Sequence, residues 1–206
     1  MIRTAPSKKV AGWAAAVALS ASLLAACSDD SATTAPEPAP EETTASQSGP
    51  AAQTFGPACD AIPDSGAGSF DGMATAPVAS AASANPLLKT LVAAVTEADL
   101  VDTLNSAEAL TVFAPTDEAF AKIPKADLDA LLADKARLTK VLSHHVVAGQ
   151  LDPSQVAGEH ETLAKDIVTV KGDETSMTVG KGKVLCGNIP TDNATVYVID
   201  TVMLPY

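Results

Sequence analysis

The chain has 206 residues, 13 basic and 25 acidic side chains, a formal charge of −12, and seven aromatic rings: four Phe, two Tyr and one Trp. Nucleic-acid binding needs a basic face to neutralise phosphates, or rings on which bases stack; this composition supplies neither, so nucleic acid is excluded as a partner. The length suits one domain or two small ones, and 47% hydrophobic residues can build a core.

Arg3, Lys8 and Lys9 precede an uncharged, Ala- and Leu-rich run from Val10 to Ala26. A positive start followed by such a run is the pattern of a secretory signal, assigned here to residues 1–26. A transmembrane helix wants roughly 20 apolar residues, which leaves a retained anchor as the second choice. The run ends Leu24-Ala25-Ala26-Cys27 and turns polar at Ser28. Those four positions resemble the bacterial lipobox, in which the cysteine thiol takes a diacylglyceryl group. Cys27 is therefore the expected lipidation site, which would place the exported protein on the outer face of the cell membrane, with or without a shed form. The alternative is ordinary cleavage near Ala26 with a chance cysteine. Removal of residues 1–26 takes away three bases and Trp13, leaving 10 bases, 25 acids and six rings.

Residues 27–66 are expected to comprise the lipidated cysteine, a Pro/Thr/Glu-rich linker and an N-terminal extension. Ser28 to Gln53 holds five acids, no bases and no apolar side chain larger than Ala or Pro. Such a segment buries too little to offset its ordering entropy and is expected to be a disordered tether. Its 26 residues span roughly 30 Å as a flexible coil and about 80 Å as polyproline II. Thr33-Thr34 and Thr43-Thr44, set among prolines, suit O-glycosylation; a plain solvated linker is the alternative.

With Cys27 assigned to lipid, Cys59 and Cys186 are an even pair in an exported chain. An oxidising compartment favours a disulfide between them, against two free buried thiols.

The folded part then begins near Phe55. Asn85-Pro86 has the form of a helix start, Asn as N-cap and Pro at the first position, followed by Leu87, Leu88, Leu91, Val92 and Val95 at helical spacing. A second short helix carries Leu100, Val101 and Leu104. Leu110 to Ala114 is a buried strand stopped by Pro115, and Thr116 caps a turn through Asp117, Glu118 and Phe120. Leu128, Leu131 and Leu132, then Leu138, Val141 and Leu142, mark further helices. After His145 the pattern changes to short β-prone runs: His145–Ala148, Thr162-Leu163, Ile167–Val170, Ser176–Val179, Val184–Cys186 and Thr195–Thr201. Helices first and strands later imply α+β.

Leu110 to Pro124, LTVFAPTDEAFAKIP, resembles the first conserved box of the fasciclin (FAS1) domain. Leu142 to Gly149, LSHHVVAG, is similar to its tyrosine-histidine region, and Ala194 to Pro205, ATVYVIDTVMLP, to its second box. LVDTLNS, Leu100 to Ser106, and the placement of Cys59 and Cys186 are similar to the mycobacterial secreted and lipid-anchored FAS1 antigens. The resemblance implies a single FAS1 domain over residues 70–204, a wedge of strands packed with several helices. Val112, Phe113 and Phe120 would be core, and Val196, Val198 and Ile199 a central or near-central strand. It also implies cell adhesion or binding of a matrix, envelope or cell-surface ligand, without catalysis. The chain departs from the animal pattern at two places: His144 replaces the tyrosine, and Asn188-Ile189 replaces an Asp-Ile pair whose carboxylate would complete an integrin's metal site. Engagement of an integrin is therefore not expected, and His144, His145, Asn188 and Ile189 are candidate binding residues only.

Neighbouring His144 and His145 point to opposite faces of a strand, or about 100° apart on a helix, and do not readily hold one metal; the resemblance implies that His145 is a packed residue bonded to backbone. G-x-S-x-G, C-x-x-C, a calcium loop and a phosphate loop are all missing, and Asp127 and Asp129 suit a solvated helix face. Asn193-Ala194-Thr195 is treated as a chance sequon. No catalytic residue, metal or cofactor is expected. The leading function is a lipid-anchored, monomeric adhesion or ligand-binding module. The alternative is a lipoprotein carrier of a small apolar ligand.

Overall fold

The computed structural model describes residues 49–204; the expected signal segment, Cys27, and Thr33, Thr34, Thr43 and Thr44 lie outside the described residues. In chain order come 3-10 turns at Pro50–Gln53 and Cys59–Ala61, then α1 (Phe70–Ala74), α2 (Val78–Ala84), α3 (Lys89–Glu97), α4 (Val101–Ser106), β1 (Leu110–Pro115), α5 (Asp117–Ala121), α6 (Lys125–Ala133) and α7 (Lys135–His144). They continue as β2 (Val146–Ala148), α8 (Pro153–Val156), β3 (Gly158–Glu161), β4 (Ile167–Asp173), β5 (Ser176–Val179), β6 (Gly182–Pro190) and β7 (Ala194–Ile199). This is the expected α+β order.

The seven strands form one sheet in the order β2-β1-β7-β6-β5-β4-β3. β1 and β7 run parallel, from Leu110 opposite Ala194 to Pro115 opposite Ile199. Every residue of both strands is buried. A strand covered on both faces has no polar side, which is why LTVFAP and ATVYVI are nearly continuous apolar runs. The outer strands meet: Val147 of β2 bridges Thr162, just after β3, and Leu163 N donates to Val146 O at 2.8 Å. The sheet thus curls into an almost closed barrel whose two faces bury separate cores. Phe113, Val170, Met177, Val179, Tyr197 and Ile199 fill the inside. Val112, Ala114, Val196 and Val198 face outward onto the helices, against a core that includes Leu91, Phe120, Leu138 and Leu142. The two-residue period of a strand puts Phe113 and its register partner Tyr197 on the same inner face, with ring centres 5.8 Å apart.

Thr116 caps α5 as expected, accepting from Ala119 N at 3.2 Å. Two expected elements are corrected. Asn85-Pro86 does not start a helix: Asn85 closes α2, its Oδ1 accepts from Leu87 N at 3.0 Å in a local turn, and α3 begins only at Lys89. Thr162-Leu163 is not a strand but the start of the turn that closes the barrel. The strand before it is β3, Gly-Glu-His-Glu, whose edge position leaves it mostly exposed and without apolar alternation. Nothing in the apolar spacing marks α1, α2 or α8, which are short and built largely from small or polar residues.

The chain ahead of α1 is sewn onto β6. Cys59 is bonded to Cys186, with Cα atoms 5.0 Å apart. Phe55 exchanges backbone hydrogen bonds with Gly187 at 3.3 and 2.7 Å, and Ala58 N donates to Leu185 O at 2.9 Å. Glycine is required twice for this approach. At Gly56, φ +116°, a Cβ would lie 2.3 Å from Leu185 O, and at Gly187 it would lie 2.4 Å from the Phe55 ring.

Candidate functional site

The histidine pair sits where α7 hands over to β2. Asp134 starts α7 by accepting from Arg137 N at 3.0 Å, and Leu138, Val141 and Leu142 bury one side of the helix. At its end the two rings diverge, 6.3 Å between centres and perpendicular. His145 turns inward and is 2% exposed. Its Nε2 accepts from Met203 N at 2.9 Å, so Nε2 carries no proton; Nδ1 then holds the hydrogen and donates it to Val141 O at 2.8 Å. Burial lowers the pKa of His145 to about 4; the bond to Val141 works the other way, and the neighbouring His144 adds to the lowering.

A group held neutral in this way makes folding acid-sensitive. Unfolded, His145 protonates near 6.5; folded, only near 4. The unfolded chain therefore binds the extra proton between those values. The contribution is complete above about 6.5 and is lost progressively as pH falls toward 4, on the order of 3 kcal/mol in all. Urea unfolding at pH 7.5 and 4.5 is expected to show this loss, with a much smaller one in His145→Gln. Equal slopes in both proteins would assign the acid sensitivity elsewhere.

His144 is 8% exposed and turns the other way, its Nδ1 2.6 Å from Asp166 Oδ1. The Thr162 hydroxyl donates to the same carboxylate oxygen. Partial burial opposes ionisation of Asp166, but the hydrogen bonds from Thr162 and His144, and the His144 charge, outweigh it and hold the carboxyl below its usual range. Lys165, in the left-handed region at φ +62°, and Thr162 N donating to Asp166 O at 2.8 Å complete a tight turn. The clasp therefore fastens the turn that closes the barrel. Asp166 carries no local sequence signal; only the fold brings it to a histidine 22 residues earlier. Leu163 and Ile167 flank this turn and are among the exposed large apolar side chains, at 45% and 63%.

The other candidates are placed as follows. Ile189 is buried, packing in the core between sheet and helices, so with His145 it belongs to the interior and not to an open face. Asn188 adopts φ +58° where β6 breaks register against β7, a conformation asparagine tolerates, and its Nδ2 donates to Gln53 O at 3.0 Å. An aspartate there would have no hydrogen to donate. His160 Nε2 lies 2.9 Å from Val156 O. Asp127 and Asp129 are exposed on α6. Among the described residues no three His, Cys, Asp or Glu side chains come together so as to hold a metal ion.

The model of the fasciclin domain matches residues 86–205. Over 212 aligned residues the chain is 43% identical to the cell surface glycolipoprotein MPB83 of Mycobacterium bovis, with 96% of each chain covered. It is 46% identical over 163 residues to the immunogenic protein MPB70 of the same species, covering 75% of this chain and 84% of that one. Among solved structures, a FAS1 domain pair from the insect cell adhesion molecule fasciclin I aligns at 20% identity with a TM-score of 0.48, covering 58% of this chain and 46% of the other.

Proposed function

Because the chain belongs to the fasciclin domain family, we propose that it is an exported, lipid-anchored surface protein whose single FAS1 domain binds a cell-surface or extracellular-matrix ligand and catalyses no reaction. The observation that carries this reading is similarity from end to end: a relative named as a cell surface glycolipoprotein covers 96% of the chain, a span that takes in the signal-like run and the Leu24–Cys27 sequence. The lipid on Cys27 holds the protein to the membrane, residues 28–48 carry the domain outward, since Pro50–Gln53, expected as the end of the tether, is a 3-10 turn whose Gln53 O is bonded by Asn188, and the domain works as a monomer. The histidines support a non-catalytic role, since both nitrogens of His145 are engaged within the fold and Nδ1 of His144 is committed to Asp166.

The full chain and a Cys27→Ala variant, expressed in an actinobacterial host, test both halves. The unchanged protein is expected in the membrane fraction, giving cells saturable attachment to immobilised matrix proteins or envelope glycans. The variant is expected in the medium, competing for the same attachment. Membrane retention of Cys27→Ala would point to a retained helix instead of a lipid. Equal attachment by cells with and without the protein would remove the adhesive role.

A further inference from the structure

A cavity of about 90 Å³ lies between the helices and the outer face of the barrel. Its walls include Val78 of α2, Leu91 of α3, Leu104 of α4, Val112 of β1 and Val146 of β2. Thr103 and Leu163 also line it and are exposed, so they mark the rim. No lining residue carries a charge, because the one titratable member, His145, is neutral with both ring nitrogens already bonded. The polar groups left to a ligand are the hydroxyls of Thr103 and Ser143.

These features restrict the occupant. Deep in the cavity nothing can partner a polar atom, so the part that enters must be hydrocarbon. The volume is below the ~150 Å³ of a cavity that takes up benzene, which favours a slender occupant over a ring. A linear chain has the smaller cross-section that fits. A carboxylate or phosphate head would find no cation among the lining residues and would meet an acidic protein, whereas an ester or hydroxyl head can form hydrogen bonds with the two hydroxyls.

The geometry points to this cavity as a site for the end of a linear aliphatic chain with an uncharged head, as in an acyl ester or fatty alcohol, entering past Leu163 on the clasped turn. The site is independent of surface display, so either conclusion can fail without the other.

The probes are 1-butanol through 1-octanol, titrated into the full chain labelled at its Val, Leu and Ile methyl groups and followed by NMR. Saturable shifts are expected at Leu91, Leu104, Val112 and Val146. Affinity is expected to rise about fourfold for each methylene that enters the cavity. Octanoate at pH 7.5 is expected to bind at least tenfold more weakly than octanol. Ala82→Leu, which adds bulk to the lining, is expected to weaken octanol at least tenfold while leaving the methyl signals of Val179, inside the barrel, in place. The titration of the unchanged protein stands even if that variant fails to fold. Absence of shifts at saturating octanol, or shifts no larger at the cavity than at exposed Leu204 and Ile167, would overturn the site. Equal binding of octanoate would overturn the uncharged head.

Discussion

Asn193→Asp is expected to destabilise the domain by about 4 kcal/mol, although it changes a single NH2 to oxygen. Asn193 is buried, and its Nδ2 donates to the carbonyls of Leu104 and Ala107 at 2.8 Å each, with a longer contact to Asn105 O. Its Oδ1 accepts from Val78 N at 2.9 Å. These are helix-end groups. Val78 opens α2 behind Pro77, which has no side-chain cap to offer, and Leu104 and Asn105 lie in the last turn of α4. One amide thus satisfies the start of one helix and the end of another. Asn105 completes the arrangement by accepting from Ala79 N at 3.0 Å. Aspartate keeps the bond to Val78 but sets a buried carboxylate oxygen against the two carbonyls. Asn193→Ala, which leaves all these groups unpartnered without adding charge, is expected to cost about 2–3 kcal/mol. Urea unfolding measures both. A loss below about 1 kcal/mol for the aspartate would mean that water already serves those carbonyls.

Removing the disulfide, as Cys59→Ala with Cys186→Ala, is expected to cost about 2–4 kcal/mol. The bond spans 127 residues, and the chain-entropy model puts the ceiling for such a loop on the order of 5 kcal/mol. The expected loss falls short of that ceiling because the unfolded chain keeps some compactness without the bond, while the backbone bonds of Phe55 and Ala58 to β6 and the Asn188 bond to Gln53 keep the extension docked in the folded double variant. Hydrogen exchange separates the contributions. In the double variant the amides of Phe55 and Ala58 are expected to lose protection well before those of β1 and β7. Simultaneous loss in both places would mean that the extension and the barrel unfold as one unit.

What the sequence reveals follows from what each element must bury. β1 and β7 are covered on both faces, so their apolar runs are unbroken and their boxes stand out. α7 announces itself through Leu138, Val141 and Leu142, which share one face. α1 is hidden because its five residues bury Met73 without any repeat to mark it, and α2 because it packs largely through small side chains such as Ala81. Those small residues also leave room beside α2, and Ala79 and Ala82 line the cavity there. β3 is hidden for the opposite reason, since an edge strand needs no apolar face. At the candidate site the inward, backbone-bonded role of His145 is legible, while the His144–Asp166 clasp is not, because it depends on a strand pairing across the barrel. The sequon at Asn193 is a chance one, as expected, since the residue is buried; its bridging role is not legible, because its partners lie 86 to 115 residues away.

The stitching of the N-terminal extension onto β6 also decides how the domain meets mechanical load. A pull arriving from the tether side travels through residues 49–59 and crosses the Cys59–Cys186 bond into β6, bypassing everything between those two cysteines. α1 to α7, β1 and the barrel-closing turn lie inside that covalent loop and are shielded from direct tension. What bears the force is β6 and its ladder to β7, the strand held on its other side by parallel pairing with β1. In the tethered arrangement we propose, the domain is therefore gripped through the middle of its sheet rather than by its fraying end.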